Sequence, residues 1–499
     1  MKQSSYYMLF FLAFLVVVFS HSFFSANGYL SPDSTRYLAL AQNLIEGNGF
    51  SVSSVSLDGN DREYFAIWPL GYPVLIAMLA KVSGLSVFIS SKIINLIFIA
   101  LSLWIIRKMF KVDSHVFGCV LLFGAFLQLF SHSWSEVPFI FGLLWLCFSL
   151  NGYLNGTLKY SLIHLLFAGV LIFLSRYIGA FSFVVVGLVA LWQLKQRRLA
   201  NFVHLSLVSL VGFIFVVSYL YNNVLETGWV TGKQRIPSFE TNLQLAVMVV
   251  KAFSQELVVL SGHNKTTFFW MLVIQMSVIA VVWFNIKPST ILSNNNYSVD
   301  EKKGRNLQFV LFLVGVTYLV AIVLSRWFTQ FDYLNYRLLA PGTLLLLLAM
   351  ILKIQRSNSV LLYLRVRRIV FLLAFISVII NSLMPLVKYQ VESKSLSYQQ
   401  NILEIEENYK SIPNESIVVF ADNHIRYIRT SLILARPNFI PFAKYNEAVE
   451  SFLLRIKTNY PNKEIFIVTD QKKVSCKRLH SSWCELLQQN SQNRFYQIQ

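Results

Sequence analysis

Long apolar runs alternate with short polar connectors along the chain, a pattern that predicts membrane-spanning helices joined by loops. The first run covers 6–25. Further apolar stretches lie near 87–106, 115–132, 137–152, 160–175, 177–194 and 202–221, and four more near 267–286, 307–325, 337–354 and 369–387. Each is close to the length that crosses a hydrocarbon core, with 137–152 and 160–175 at the short end, so about eleven spans are expected. The stretch 67–84 is also apolar, but Pro69, Gly71 and Pro73 interrupt it. A surface-lying or re-entrant segment is expected there. The first run could also be read as a signal peptide, with Ser20, Ser22 and Ala26 as small residues for cleavage. Its length of about 20 residues favours an uncleaved helix.

The connectors set the sidedness. Dense basic clusters stand at Arg107, Lys108 and Lys111; at Lys195, Arg197 and Arg198; at Lys302, Lys303 and Arg305; and at Arg365, Arg367 and Arg368. With about eleven spans and a cytoplasmic N terminus, all four fall on the cytoplasmic side, as the positive-inside rule requires. The segments 26–66 and 222–265 and the tail beyond about 390 are then extracytoplasmic. The tail changes character: a polar helix is expected near 397–410, a strand at 416–420, an amphipathic helix at 445–458 and a strand at 464–468. Strands interleaved with helices predict a small α/β domain. The predicted organisation is a polytopic α-helical membrane domain over 1–390, with outer loops 26–66 and 222–265, and an extracytoplasmic α/β domain over 391–499.

Composition agrees. Hydrophobic residues make up 55% of the chain and charged residues 13%, about half the charged share of an average soluble protein. Lipid must therefore replace water around much of it. The net charge of +19 resides in clusters between apolar runs, which points to anionic lipid headgroups or a phosphate-bearing lipid and away from nucleic acid. Cys119 and Cys147 lie inside apolar runs and read as packing residues. Cys476 and Cys484 lie in the polar tail, where a disulfide can form outside the cytosol.

Candidate chemistry gathers in the predicted outer segments. Asp33 follows the first helix, in Ser31-Pro32-Asp33, and precedes a helical pattern that includes Tyr37 and ends at Gly47. Either Ser31 or Asp33 can cap that helix, and Asp33 can equally serve as a base at the lipid surface. Asp58, Asp61 and Glu63 form a second acidic set. A pair of outer acids can act as base and as metal or phosphate partner, or be solvated loop charges, the favoured reading for Asp58. Arg176, Arg326 and Arg337 flank spans on the same predicted side, and Arg235 lies in the long outer loop. An arginine close to lipid is usually paired or functional, and its planar fork suits a phosphate; snorkelling from a helix end is the plainer reading for Arg326 and Arg337. Glu136 can bind, or can merely complement a helix dipole. Asp332 and Asp422 read as solvated acids, and His132, His263 and His424 as ordinary polar residues.

Several motifs, in order and on one predicted side, resemble the lipid-linked-sugar glycosyltransferases of the GT-C fold, nearest to the bacterial protein mannosyltransferase and lipid A aminoarabinose transferase superfamily. They are Asp33 with Tyr37, Gly47-Asn48-Gly49-Phe50, Pro69-Leu70-Gly71-Tyr72-Pro73, Ser135-Glu136-Val137-Pro138-Phe139, Arg176-Tyr177, the stretch from Asn222 through Thr227-Gly228 and Thr231-Gly232 to Arg235, and Arg337 with Pro341. The resemblance covers most of residues 1–345. It implies transfer of a sugar from a polyprenyl-phosphate donor to an extracytoplasmic glycan, glycolipid or protein, in a bacterial cytoplasmic membrane. Asp33 would be the general base and Arg176, Arg235, Arg326 and Arg337 would hold the lipid phosphate, with Glu63, Asp61, Glu136, Tyr37 and Tyr177 as further site residues. One departure bears on metal dependence. Ala66 stands where the aminoarabinose transferases carry a glutamate, so either Glu63 takes over as ligand for a divalent metal or the chain has no metal ligand. The rivals are a transporter or flippase of lipid-linked saccharides, a glycan polymerase or ligase, and a non-catalytic scaffold. A transporter would show inverted repeats and broken mid-membrane helices, and the sequence shows neither.

Overall fold

The computed structural model describes residues 3–25, 27–53, 62–111, 113–257, 265–285, 301–357, 359–391, 412–420, 433–435, 448–468, 481–489 and 495–498. Helix α1 (Gln3–Phe24) leads to α2 (Pro32–Ile45), to the hairpin of β1 (Ser51–Ser53) and β2 (Arg62–Tyr64), and to the short α3 (Gly71–Ser83). Next come α4 (Val87–Phe110), α5 (Ser114–Val120), α6 (Gly124–Ser131), α7 (Glu136–Leu154) and α8 (Ser161–Ser175). A 3-10 turn (Tyr177–Ala180) runs into α9 (Phe181–Lys195), which is followed by α10 (Leu199–Thr227), α11 (Asn242–Leu257) and α12 (Lys265–Asn285). The last three membrane helices are α13 (Glu301–Phe328), α14 (Tyr336–Gln355) and α15 (Val360–Val391).

Every apolar run expected to span is helical, and the chain is an integral membrane protein. Eight of the described helices are long and apolar enough to cross a bilayer, counting the 3-10 turn with α9. The run at 115–132 is a pair instead, α5 and α6, bent by 66°. Two further runs, at α8 and within α12, are shorter apolar helices. The interrupted stretch at 67–84 forms the short α3, which starts at Gly71 because Pro69 stops a helix from running earlier.

The chain divides into two units. The first comprises residues 1–25, 66–72 and 92–395. Its hairpins pack α7 on α8, α9 on α10 and α13 on α14, and α1 lies along α15. Small residues set these approaches: a Cβ on Gly142 would meet Ile172 of α8 at 2.6 Å, so only glycine lets α7 and α8 come this close.

The second unit comprises residues 26–65, 73–91 and 396–499. The first outer segment thus groups with the tail in this unit. The tail builds a four-stranded sheet of β3 (Ile417–Phe420), β4 (Ile433–Ala435), β5 (Ile465–Val468) and β6 (Phe495–Ile498) in the order β4-β3-β5-β6. Strand β3 is parallel to both neighbours and β6 is antiparallel to β5. Ile417, Val419, Ile465 and Ile467 bury one face of the sheet against Phe452, Ile456 and Trp483 of the helices Val449–Asn459 and Ser481–Gln489. The helix expected near 397–410 lies outside the described residues, as do Asp58, Asp61, His263, Asp422, His424 and Cys476. Cys484 is disulfide-bonded, whereas Cys119 and Cys147 are buried free thiols.

Candidate active site

Glu136 organises the site in the first unit. It opens α7, where the free N–H groups of the first turn favour a carboxylate. Pro138 is tolerated two residues later because a first-turn N–H has no partner to lose. The Glu136 side chain is wholly buried, and its Oε1 accepts from two arginines at once. Arg176 donates from Nη1 at 2.6 Å, and Arg337 donates from Nε. Glu136 Oε2 is buried without a hydrogen-bond partner among the described residues.

Local structure places each arginine. Arg176 is an extended residue (φ −153°, ψ 136°) between the end of α8 and the 3-10 turn, so its side chain leaves the helix axis at the hairpin's turn. Arg337 is the second residue of α14, whose start is fixed by Asn335; the Asn335 side chain accepts from the Leu338 N–H. Both are mostly buried, and such charges persist in a low-dielectric setting only when paired.

An aromatic ladder backs the ion-pair cluster. The Arg337 guanidinium lies 4.0 Å from the centroid of the Trp134 ring. That ring in turn stacks on His132 at 3.8 Å and 11°. Two groups cannot share one ring face at such distances, so both faces of Trp134 are taken and it offers no platform to a sugar. The His132 Nδ1 bonds the Gln128 carbonyl at 2.8 Å. Burial first, then the nearby cations Lys92 and Arg337 and the neighbouring His21, hold the His132 pKa well below the ordinary histidine range. The Lys92 ammonium donates to the Ser131 carbonyl at 2.7 Å and is buried. Asn95 steadies the same turn, donating to the carbonyls of Phe130 and His132 and accepting from the Tyr72 hydroxyl.

A second network joins the long loop to the site. The Tyr177 hydroxyl donates to the Ala66 carbonyl at 2.9 Å and accepts from Asn223 Nδ2 at 2.9 Å. Asn223 also donates to the Val230 carbonyl. Gly232 has φ +73°, and a Cβ there would lie 2.7 Å from the Ala66 carbonyl carbon, so a side chain is barred by both backbone and space. Gly232, in the second Thr-Gly pair, thus lies directly against the Ala66–Ile67 peptide. Arg235 donates from Nε to Thr231 Oγ1 at 2.7 Å and lies within electrostatic reach of Tyr177.

Arg176 and Arg337 are therefore brought together on Glu136, with Tyr177 beside Arg176 and Arg235 beyond it. Arg326 goes elsewhere: it is fully buried and paired with Glu240. Asp33, Tyr37 and Glu63 belong to the second unit. There Ser31, not Asp33, is the N-cap of α2, in a reciprocal capping box with Ser34. Asp33 sits in the first turn of α2. Glu63 pairs with Arg36 at 3.2 Å, and the buried Tyr37 packs its ring on Phe65. No group of three or more potential metal-ligating acids, histidines and cysteines occurs among the described residues. At Ala66, where the related motif carries an acid, the side chain is a buried methyl with no room to lengthen toward Gly232.

Two members of the cluster, Lys92 and Trp134, carry no weight in the sequence reading. A signal for Lys92 exists: it is a lone cation early in an otherwise apolar run, costly in lipid unless it serves a purpose. Trp134 offers no such signal, because its role depends on a partner far along the chain.

No family profile matches the chain, and no curated protein does. Among solved structures the chain is similar to ArnT from Cupriavidus metallidurans in the apo state, at 12% identity and a TM-score of 0.43, covering 94% of each chain. It is similar to the same protein bound to undecaprenyl phosphate, at 11% identity and a TM-score of 0.42, again over 94% of each. It is also similar to the Archaeoglobus fulgidus oligosaccharyltransferase tethered with an acceptor peptide, at 12% identity and a TM-score of 0.46, covering 94% of this chain and 69% of that one. These are GT-C fold enzymes, the class that the sequence motifs resemble. At 11–12% identity and TM-scores of 0.42–0.46, the likeness identifies neither an activity nor a substrate for this chain.

Proposed function

We propose that this chain is a membrane glycosyltransferase that moves a sugar from a polyprenyl-phosphate donor to an extracytoplasmic acceptor. The observation that carries the reading is the buried cationic cluster at the start of α7 and α14 and the end of α8. Arg176 and Arg337 share one carboxylate oxygen, and Lys92 and Arg235 stand close by. Two guanidinium groups share one oxygen of Glu136, so cationic donors are concentrated at this point. A lipid phosphate supplies an anion for them and keeps its hydrocarbon tail in the bilayer. Guanidinium groups already held by a fixed partner need little reorganisation when the phosphate takes up charge as leaving group.

The acceptor hydroxyl or amine attacks the anomeric carbon. Its new bond forms as the carbon–oxygen bond to the phosphate breaks, and the electron pair leaves with the polyprenyl phosphate. The acceptor proton passes to Asp33, and the anomeric centre inverts. Ser31 and not Asp33 caps α2, so capping does not account for Asp33. The positive-inside distribution of the basic clusters supports an extracytoplasmic site.

Asp33→Asn tests the assignment. Asn keeps size and most hydrogen bonding but removes the basic oxygen, so stability should hold while transfer falls by about 10²–10⁴-fold. The measurement is a mass-spectrometric comparison of surface glycans and glycolipids from cells lacking the protein, complemented with parent or variant. Loss of one sugar, restored by the parent and not by the variant at equal abundance, is expected. Full restoration by Asp33→Asn would remove Asp33 from the chemistry, and identical glycans with and without the protein would remove the transferase reading itself.

A further inference from the structure

Helix α11 carries two apolar stripes. Leu245, Met248, Val249 and Ala252 pack onto Ile322, Leu334, Leu338 and Leu339 of the α13–α14 hairpin. A second stripe, Leu243, Ala246, Val247 and Val250, is exposed. The segment before α11 is tied to the end of α13 by two backbone hydrogen bonds, Ser238 N–H to the Phe328 carbonyl and Gln330 N–H to the Ile236 carbonyl. The helix therefore begins at the level where a membrane span ends, which is the bilayer interface. Trp327, Phe328 and Tyr333, exposed at that same end, are residues of the kind that anchor there.

The exposed stripe runs between two openings. At its start is a cleft of about 500 Å³ bounded by Glu240, Leu243, Gln244, Val247, Met248 and Tyr333. Along its length a second hollow of about 470 Å³ is bounded by Ala246, Val247, Val250 and Lys251. Val247 belongs to both, so they form one groove. Beneath the first cleft lies Arg326, wholly buried and paired with Glu240 through Nη2. Its Nε and Nη1 have no hydrogen-bond partner among the described residues. Buried guanidinium N–H groups without partners are rare and costly, and ask for an acceptor. Glu240 and Tyr333 both wall the cleft and both meet that guanidinium, Tyr333 with its ring 5.8 Å away. Arg326 stands behind these two walls and does not itself line the cleft, so a headgroup that parts Glu240 from Tyr333 would meet the unpartnered donors.

We infer that this groove binds a phospholipid of the surrounding bilayer whose head carries both a phosphate and a primary ammonium. The phosphate would take Arg326 Nε and Nη1, the ammonium would face the Glu240 carboxylate with Gln244 beside it, and one acyl chain would lie along Leu243, Val247 and Val250. The charge balance selects the head. Arg326 and Glu240 together are neutral, which matches a zwitterion, whereas a head with a bare negative charge meets Glu240 on the cleft wall. This site is separate from the Glu136 cluster, and the inference does not depend on the transferase reading.

The test uses the full-length protein, purified in non-ionic detergent and delipidated, in native mass spectrometry with dioleoyl phosphatidylethanolamine or dioleoyl phosphatidylglycerol. The ethanolamine lipid should form a one-to-one adduct at roughly tenfold lower concentration than the glycerol lipid, the scale of one charge-assisted hydrogen bond. Val247→Trp fills the groove from an exposed position, so the fold should survive while the preference disappears. Glu240→Gln should bring the two lipids level; if that variant fails to fold, Val247→Trp alone decides. Equal uptake of both lipids by the parent overturns the inference. So does a Val247→Trp protein that keeps the preference, or a parent dimer that this substitution dissociates, which would give the groove to a second copy of the chain.

Discussion

The membrane helices carry arginines and lysines at both ends, and α4 and α9 at one end treat them differently from α7, α8 and α14 at the other. At the ends of α4 and α9, Arg107, Lys108, Lys195, Arg197 and Arg198 are exposed. At the other end, where α8 closes and α7 and α14 open, Arg176 and Arg337 are mostly buried and converge on one oxygen of Glu136. The α9 hairpin shows both treatments within one element, with Arg176 before its first turn and Arg197 just past its last. An exposed cation answers only to water and lipid headgroups and is interchangeable with its neighbours. A cation taken below that level must be matched atom by atom, and the matching fixes where it points. The first end fits an address label and the second fits a binding site.

The sharpest way to break that comparison is to remove the shared partner. Glu136→Gln removes the carboxylate that two mostly buried arginines share, which should destabilise the protein by about 3–5 kcal/mol. Arg198→Gln at the opposite end should stay within roughly 0.5 kcal/mol. Thermal melts of both variants in detergent check this, and equal losses would dissolve the distinction. A smaller effect is expected from Arg337→Lys. It keeps the charge but loses the fork and the stacking on Trp134, a desolvated contact of about 2 kcal/mol, so use of the lipid donor should weaken by roughly tenfold or more in KM. An unchanged KM with a lower kcat would assign Arg337 to the chemical step instead of to donor binding.

The smallest effect concerns His132. The unfolded chain takes up a proton near pH 6.5, whereas burial, Lys92, Arg337 and His21 oppose it in the folded state. Below that pH the unfolded state binds more protons, so stability falls as pH falls, by up to about 1.4 kcal/mol per unit. Melting temperatures at pH 7.5 and 5.5 should differ more for the parent than for His132→Gln. Identical differences would show that His132 is not held neutral.

Much of the fold was legible because hydropathy is local: each apolar run carries its own evidence of length, and every one became a helix. The bend between α5 and α6 was not, since Leu121, Leu122 and Phe123 at the break are as apolar as their flanks. The site was half legible. Helix-end arginines and the Ser-Glu-x-Pro motif could be read from their positions, as could a cap at Ser31 or Asp33, although the choice between them needed the hydrogen bonds. What pairs with what could not be read. Glu136 reaches Arg176 across 40 positions and Arg337 across 201, and Arg326 finds Glu240 across 86. Such distances are settled by how hairpins stack, and no pattern along the chain encodes them. Arg326 shows the consequence: by position it matched the other arginines, and packing gave it a partner of its own.

The sharing of a single oxygen by two guanidinium groups has a consequence for how this protein can vary over evolutionary time. A change at position 136 strands two cations together, whereas a change at 176 or 337 leaves the carboxylate still answered by the other. Drift is therefore lopsided. The two arginine positions can be explored singly, each step leaving a working pair, but the glutamate can be abandoned only after both have gone. A lineage that has taken the first step finds the second harder, because among the described residues the remaining arginine then answers the buried carboxylate alone. The triad behaves as a ratchet against its own loss, with the carboxylate the last of the three to change.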